Sequence, residues 1–195
     1  MVLAGGRSRR MGRPKESLPI GGSTLLGLAV ERLLLTTHPV IVLARDGEQD
    51  LPPLPIECEI AYDSDAGAGP MKALRDALRL HEGQADAVLV IGCDYPFLDE
   101  RAIGWLAGEL GDHDCVVPKA LGRLQPLCAI YRTRLRTRVE ALVRDGVDTI
   151  RTVAEEPRAR ILDEDRLRAF DPELRFLRNV NDPASYEAAV RELGQ

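Results

Sequence analysis

The sequence predicts an α/β fold with a mostly parallel central sheet and helices on its faces, and three observations carry that reading. Short apolar runs alternate with longer helical patterns along the chain, the order expected when helical crossovers connect parallel strands. The run Ala-Val-Leu-Val-Ile at 87–91 has no polar alternation, as a strand buried on both faces requires. Finally, 195 residues with 45% hydrophobic and 29% charged residues is the balance of one globular domain, 1–195, able to bury a sizeable core.

The elements follow in order. The first strand, 2–4, is short for a buried one, where about five or six residues are usual, so a start codon several residues upstream is expected. Ser23 or Thr24 caps a broadly apolar helix over 24–35, which His38-Pro39 ends. Strands at 40–44 and 56–60 are separated by the stiff loop Leu51-Pro-Pro-Leu-Pro. Gly69-Pro70 opens a second helix, with Pro70 in its first turn and Met71, Leu74 and Leu78 on one face. Beyond the 87–91 strand, helices are expected at 100–109, 132–143 and 183–193, and strands at 115–117 and 127–131. The stretch 151–170 reads as neither clearly helix nor clearly strand.

A net charge of −5 and a pI near 5.3 argue against a nucleic-acid or membrane-surface binder, which needs a positive field over a large face. Any anion site is therefore local. The N-terminus runs into glycines and arginines instead of an apolar leader core, so a cytoplasmic protein is expected. Cys58, Cys93, Cys115 and Cys128 form no CxxC and have no histidine at zinc-ligand spacing, which makes them small hydrophobes of a reduced compartment. His38, His81 and His113 form no constellation.

The first fifteen residues are the local exception. They hold Gly5, Gly6 and Gly12 together with Arg7, Arg9, Arg10, Arg13 and Lys15, and no acid precedes Glu16. The stretch joins a strand end to a helix, which puts it at the carboxyl edge of the sheet, where open α/β proteins bind ligands. Glycines let backbone amides approach an anion and the basic side chains supply counter-charge, a description that fits a triphosphate. It is neither a Walker loop nor GxGxxG, because Arg13-Pro14 separates Gly12 from Lys15. The alternative is a solvated basic turn.

Asp94 follows the buried strand, so its carboxylate either lies at the ligand edge or is buried at a cost. Beside bound phosphates, one carboxylate suffices to hold magnesium, which keeps several waters; an ordinary turn before Pro96 is the competing reading. Asp99-Glu100 is a helix start. Only three of the 26 basic residues are lysines, and Lys72 and Lys119 fall in expected loops on the same edge as Lys15. All three are placed to face phosphates or an anionic acceptor, with a surface charge the alternative for Lys119.

The segment LAGGRSRRMGRPK at 3–15 resembles the signature loop of Rossmann-like nucleotidyltransferases, and its LAGG opening looks most like the molybdenum cofactor guanylyltransferases. DSDAGAGPMKAL at 63–74, IGCDYPFL at 91–98, QPLCAIYR at 125–132 and NVNDPASY at 179–186 match the same family in the same order, so the resemblance spans 2–186. It implies a three-layer α/β/α nucleotidyltransferase fold and transfer of GMP from GTP to the terminal phosphate of molybdopterin carrying molybdenum. Mg2+ is the implied cofactor.

By the same resemblance, Leu3, Ala4, Gly5, Gly6, Arg7, Ser8, Gly12 and Lys15 cradle the nucleotide. Asp63, with Asp65 as competitor, and Gly69 meet the base or ribose, and Asp94 holds the metal. Lys15 and Arg10 stabilise the transition state and the leaving pyrophosphate, Lys119 and Gln125 contact the acceptor, and Asn179 and Asn181 contact the acceptor or help orient the metal and phosphates, with an ordinary turn and helix cap the alternative for Asn-Asp-Pro. Gly5 stands where cytidylyl-transferring relatives more often have alanine, which favours guanine. Lys72 departs from the family pattern, where a small residue is common. GTP, a molybdopterin-type cofactor and other molybdenum cofactor proteins are the implied partners, with no nucleic acid and no membrane. A relative using CTP or another phosphate acceptor, and a non-catalytic cofactor carrier, remain alternatives; a carrier has no need of an intact Lys15 and Asp94.

Overall fold

A computed structural model describes residues 1–5, 12–65 and 69–194. Its strands are β1 (Val2–Leu3), β2 (Pro19–Ile20), β3 (Ser23–Thr24), β4 (Ile41–Ala44), β5 (Glu59–Tyr62), β6 (Ala87–Gly92), β7 (Cys115–Ala120), β8 (Arg123–Leu124), β9 (Cys128–Arg132) and β10 (Ala159–Leu162). Its α-helices are α1 (Leu25–Leu34), α2 (Pro70–Leu80), α3 (Glu100–Leu110), α4 (Arg136–Arg144), α5 (Glu164–Phe170) and α6 (Pro183–Leu193).

The main sheet runs β10-β7-β9-β6-β1-β4-β5, with β8 folded back on β7, and β2 and β3 form a separate ribbon. All neighbours along the path pair in parallel except β9, which is antiparallel to both β6 and β7. The mostly parallel expectation thus holds, and its one exception reverses the chain so that the start of β9 lies at the same edge as the end of β6.

Alternate strand residues point to opposite faces, and the core divides accordingly. Leu89 and Ile91 of β6 join α1 and α3 through Leu26, Val30, Leu33, Ile103 and Leu106. Val88 and Val90 join α2 and α4 through Met71, Leu74, Leu78, Val139 and Leu142. Two helical layers therefore enclose one sheet, and the non-alternating 87–91 run is explained by burial on both sides. A third, smaller cluster of Leu18, Ile20, Leu25, Phe97, Val180 and Ala189 docks α6 beside the β2–β3 ribbon.

The caps explain where the helices begin. Thr24 caps α1 by accepting from Gly27 N, Asp99 caps α3 through Ala102 N, and Asp182 with Ser185 forms a capping box on α6. The ambiguous stretch resolves into a 3-10 turn (Ile150–Glu155), the edge strand β10 and the short helix α5. The strand expected at 56–60 lies instead at Glu59–Tyr62, and Ile56 is 94% exposed. An edge strand facing solvent leaves its apolar residues without the packing that periodicity assumes.

Cys93, Cys115 and Cys128 are buried free thiols and Cys58 is partly buried. Burial pushes the Cys115 thiol up to about 12 and the Cys93 and Cys128 thiols higher still, so none is a thiolate nucleophile at neutral pH.

His81 closes α2 with Nδ1 2.8 Å from the Ala77 carbonyl, and its Nε2 is buried with no hydrogen-bond partner. Burial lowers its pKa below the ordinary 6.5. The unfolded chain therefore binds a proton more readily than the fold does, and stability falls as pH drops below about 6.5. Thermal midpoints measured between pH 7 and 5 should decline less steeply for His81→Phe than for the unaltered protein.

Candidate active site

The carboxyl ends of β1, β4, β5 and β6 converge on one edge of the sheet, and the antiparallel β9 adds its amino end there. Ala4 and Gly5 leave β1, and Gly12, at φ +65°, occupies the left-handed region that glycine tolerates. The chain then enters a 3-10 turn over Lys15–Ser17. Gly6, Arg7 and Ser8 of the expected cradle, and Arg10, expected at the transition state, lie outside the described residues.

Lys15 is the centre of the arrangement. Its Nζ donates to Asp94 Oδ2 at 3.1 Å and to Asn181 Oδ1 at 2.7 Å. The backbone locks two of these three segments, because Val180 N donates to the Asp94 carbonyl at 2.8 Å. The Lys15 and Asp94 side chains are 16% and 21% exposed, so the pair is mostly withdrawn from solvent yet reachable by a ligand. Gly92 leaves the carboxylate its position, since a Cβ there would lie 2.5 Å from Asp94 Oδ1 and displace it. Three expected residues, distant in sequence, therefore meet at one point.

The turn that carries Lys15 is braced from behind by residues the sequence did not single out. Glu16 is buried, and Gln49 Nε2 donates to Glu16 Oε1 at 2.6 Å and to the Ala4 carbonyl at 2.8 Å. Arg45 N in turn donates to Gln49 Oε1 at 2.7 Å. Glu16 was visible as the first acid after a wholly basic opening; Gln49 carried no signal.

Asp63 lies just past β5, where its N–H bonds the Ala44 carbonyl and its Oδ1 accepts from Asp65 N. Gly69, at φ +96°, caps α2 ahead of Pro70. The Asp65 carboxylate is engaged by Arg75 at 3.2 Å and Lys72 at 3.5 Å, and those partners hold its pKa below the ordinary carboxylate value. Lys72 thus pairs with Asp65 across the loop that precedes α2. Lys119 is corrected in part, because it sits within β7, opposite Leu124, and not in a loop.

Beyond Asn181 a cavity of about 670 Å³ opens, lined by Gln125, Asn179 and Asn181 together with Leu121, Arg123, Arg168, Glu173 and Arg178. Three of the four expected acceptor residues line it; Lys119 does not. Tyr95 OH donates to Gln125 Oε1 at 3.1 Å, and burial pushes the phenol pKa up so that it stays a donor. Arg178 lies 4.5 Å above the Phe97 ring and pairs with Glu192 at 2.9 Å. A stacked Trp105–Phe170 pair, centroids 4.5 Å apart, fixes the chain between α5 and these asparagines against α3.

No group of three or more His, Cys, Asp or Glu that could hold a metal occurs among the described residues. A single strand-end carboxylate beside the expected anion site nonetheless fits magnesium, which takes few protein ligands and fills the rest with phosphate oxygens and water. The Gly92 hollow gives Asp94 the space to present its carboxylate. No helix among the described residues is long and apolar enough to cross a membrane.

The model of the MobA-like NTP transferase domain matches residues 1–161. The "Probable molybdenum cofactor guanylyltransferase" of Mycolicibacterium paratuberculosis is 37% identical over 200 residues, covering 100% of this chain and 94% of that one. A solved Archaeoglobus fulgidus structure, molybdopterin-guanine dinucleotide biosynthesis protein A, superposes with a TM-score of 0.78 at 24% identity over 99% of this chain and 97% of that one. The 2-C-methyl-D-erythritol 4-phosphate cytidylyltransferase of Thermus thermophilus shares the fold at a TM-score of 0.71 and 16% identity, covering 100% and 98% of the two chains.

Proposed function

The chain belongs to the MobA-like NTP transferase family, and from that premise we propose that it transfers GMP from GTP to the terminal phosphate of molybdopterin carrying molybdenum. An acceptor phosphate oxygen attacks the α-phosphorus of GTP, the bond from that phosphorus to the bridging β-oxygen breaks, and pyrophosphate leaves. The acceptor is already an anion at neutral pH, so the step needs no general base. That requirement agrees with a site built from lysine, asparagine and one aspartate.

The observation that carries the reading is the Lys15 contact with both Asp94 and Asn181. It joins the nucleotide loop, the expected metal ligand and the acceptor segment at a single cation. Catalysis then rests on positioning and neutralising charge, the dominant contributions in phosphoryl-type transfer. Lys15, in contact with Asp94, turns to the triphosphate when nucleotide binds. Asp94 would hold Mg2+, which supplies charge neutralisation on the α- and β-phosphates. Asn181, released by Lys15, and Asn179 and Gln125 orient the acceptor, and Gly5, Gly12 and Asp63 meet the nucleotide. Buried thiols support a reducing, cytoplasmic setting.

Pyrophosphate release with magnesium, molybdopterin and each of GTP, CTP, ATP and UTP tests the proposal. Release with GTP alone is the expected result. Release with CTP would keep the mechanism and overturn the base assignment, and silence with all four would point to another acceptor or to a carrier.

A further inference from the structure

We propose that the β7–β8 hairpin reads the end of the acceptor distal to the reacting phosphate, with Arg123 pairing to an anionic group there. The inference rests on the transfer reaction above and specifies which end of the acceptor the cavity recognises. The cavity begins at Asn181, in contact with Lys15, and extends to Leu121 and Arg123 on the hairpin. An acceptor with its phosphate at Lys15 therefore lays its other end against β8.

The lining charges identify the cation that is available. Three arginines and one carboxylate, Glu173, line the cavity. Arg168 is bound to Glu164 at 2.7 Å and to the Pro172 carbonyl at 2.6 Å, and Arg178 is held by Glu192 and the Phe97 ring. Among the described residues Arg123 makes no ion pair, and it is exposed on the two-residue strand β8. A guanidinium so placed recognises an anion through two parallel hydrogen bonds.

The hairpin itself is built against local preference. Leu121 and Gly122 form its tip at φ +50° and +71°, and Leu121 is 78% exposed. Asparagine or glycine is the usual occupant of the first position in such a turn, because a leucine there is strained. Glu164 Oε2 accepts from Leu121 N at 2.9 Å, and the same carboxylate holds Arg168. A strained, solvent-facing leucine anchored at a cavity rim suits an apolar cover over a bound ring system.

Steady-state kinetics with molybdopterin varied at saturating GTP, and then the reverse, test the proposal. Arg123→Gln should raise the acceptor KM about tenfold, the equivalent of ~1.4 kcal/mol, while kcat, the GTP KM and the thermal midpoint stay near those of the unaltered protein. Arg123→Lys should recover part of the loss by restoring charge without the fork. An unchanged acceptor KM, or an equal rise in both KM values, would overturn the assignment while leaving the reaction in place. Absence of turnover by the unaltered protein would instead remove the transfer reading, and this inference with it.

Discussion

Asp94→Asn should lower turnover with GTP and molybdopterin at least about a thousandfold, or ~4 kcal/mol of transition-state stabilisation, while the protein remains folded. Asparagine has nearly the same shape, so it still fits the hollow over Gly92, and its amide oxygen can still accept from Lys15. Only the negative charge is lost. The pair is partly exposed, so the stability cost is about 1 kcal/mol or less and the thermal midpoint shifts by a few degrees.

Asp114→Asn provides the control. Asp114 is similarly shielded at 19% exposure and pairs with Arg134 and Arg158, but it sits at the opposite, amino end of β7. Its loss should affect stability and leave turnover intact. Near-normal turnover in Asp94→Asn would remove Asp94 from the mechanism, whatever the control did.

Asp94 was legible because the apolar run before it had to be a buried strand, and such a strand delivers its next polar residue to the sheet edge. The opening loop stood out by charge alone, as a cluster of cations in an acidic chain. The direction of β9 was not legible: its apolar pattern would be the same whether it ran parallel or antiparallel to β6, and direction depends on how the chain crosses the sheet. The meeting of Lys15 with Asn181 spans 166 positions and left no local trace. Asn181 itself was singled out only through the resemblance of the 179–186 segment to a known family.

Local charge was also a weaker guide than it first looked. Lys72 and Lys15 have the same chemistry and lie near the same edge, yet each pairs with a different carboxylate, Lys72 with Asp65 and Lys15 with Asp94. Which carboxylate a lysine finds is a tertiary matter. Gln49 makes the point more strongly, for a neutral residue between two strands braces the site through hydrogen bonds that no composition or periodicity could reveal.

Lys15→Met should move two measurements in opposite directions. Methionine keeps the length of the aliphatic stem and removes the ammonium, so Asp94 loses its counter-ion and Asn181 its donor. Without nucleotide, a divalent cation then no longer competes with Lys15 for the carboxylate, and Mn2+ affinity, followed by its paramagnetic resonance signal, should rise severalfold. With nucleotide, the missing charge leaves the triphosphate and the departing pyrophosphate under-neutralised, and turnover should fall by about a hundredfold to a thousandfold. Lys15→Arg should not rescue it, because a planar fork cannot replace a compact point charge held by two oxygens about 3 Å away. If Lys15 were only a structural link between the turn and α6, turnover would track the loss of stability and Mn2+ affinity would not increase. A rise in metal affinity together with lost turnover would assign Lys15 to both states of the site, as the counter-ion of Asp94 when it is empty and of the phosphates when it is filled.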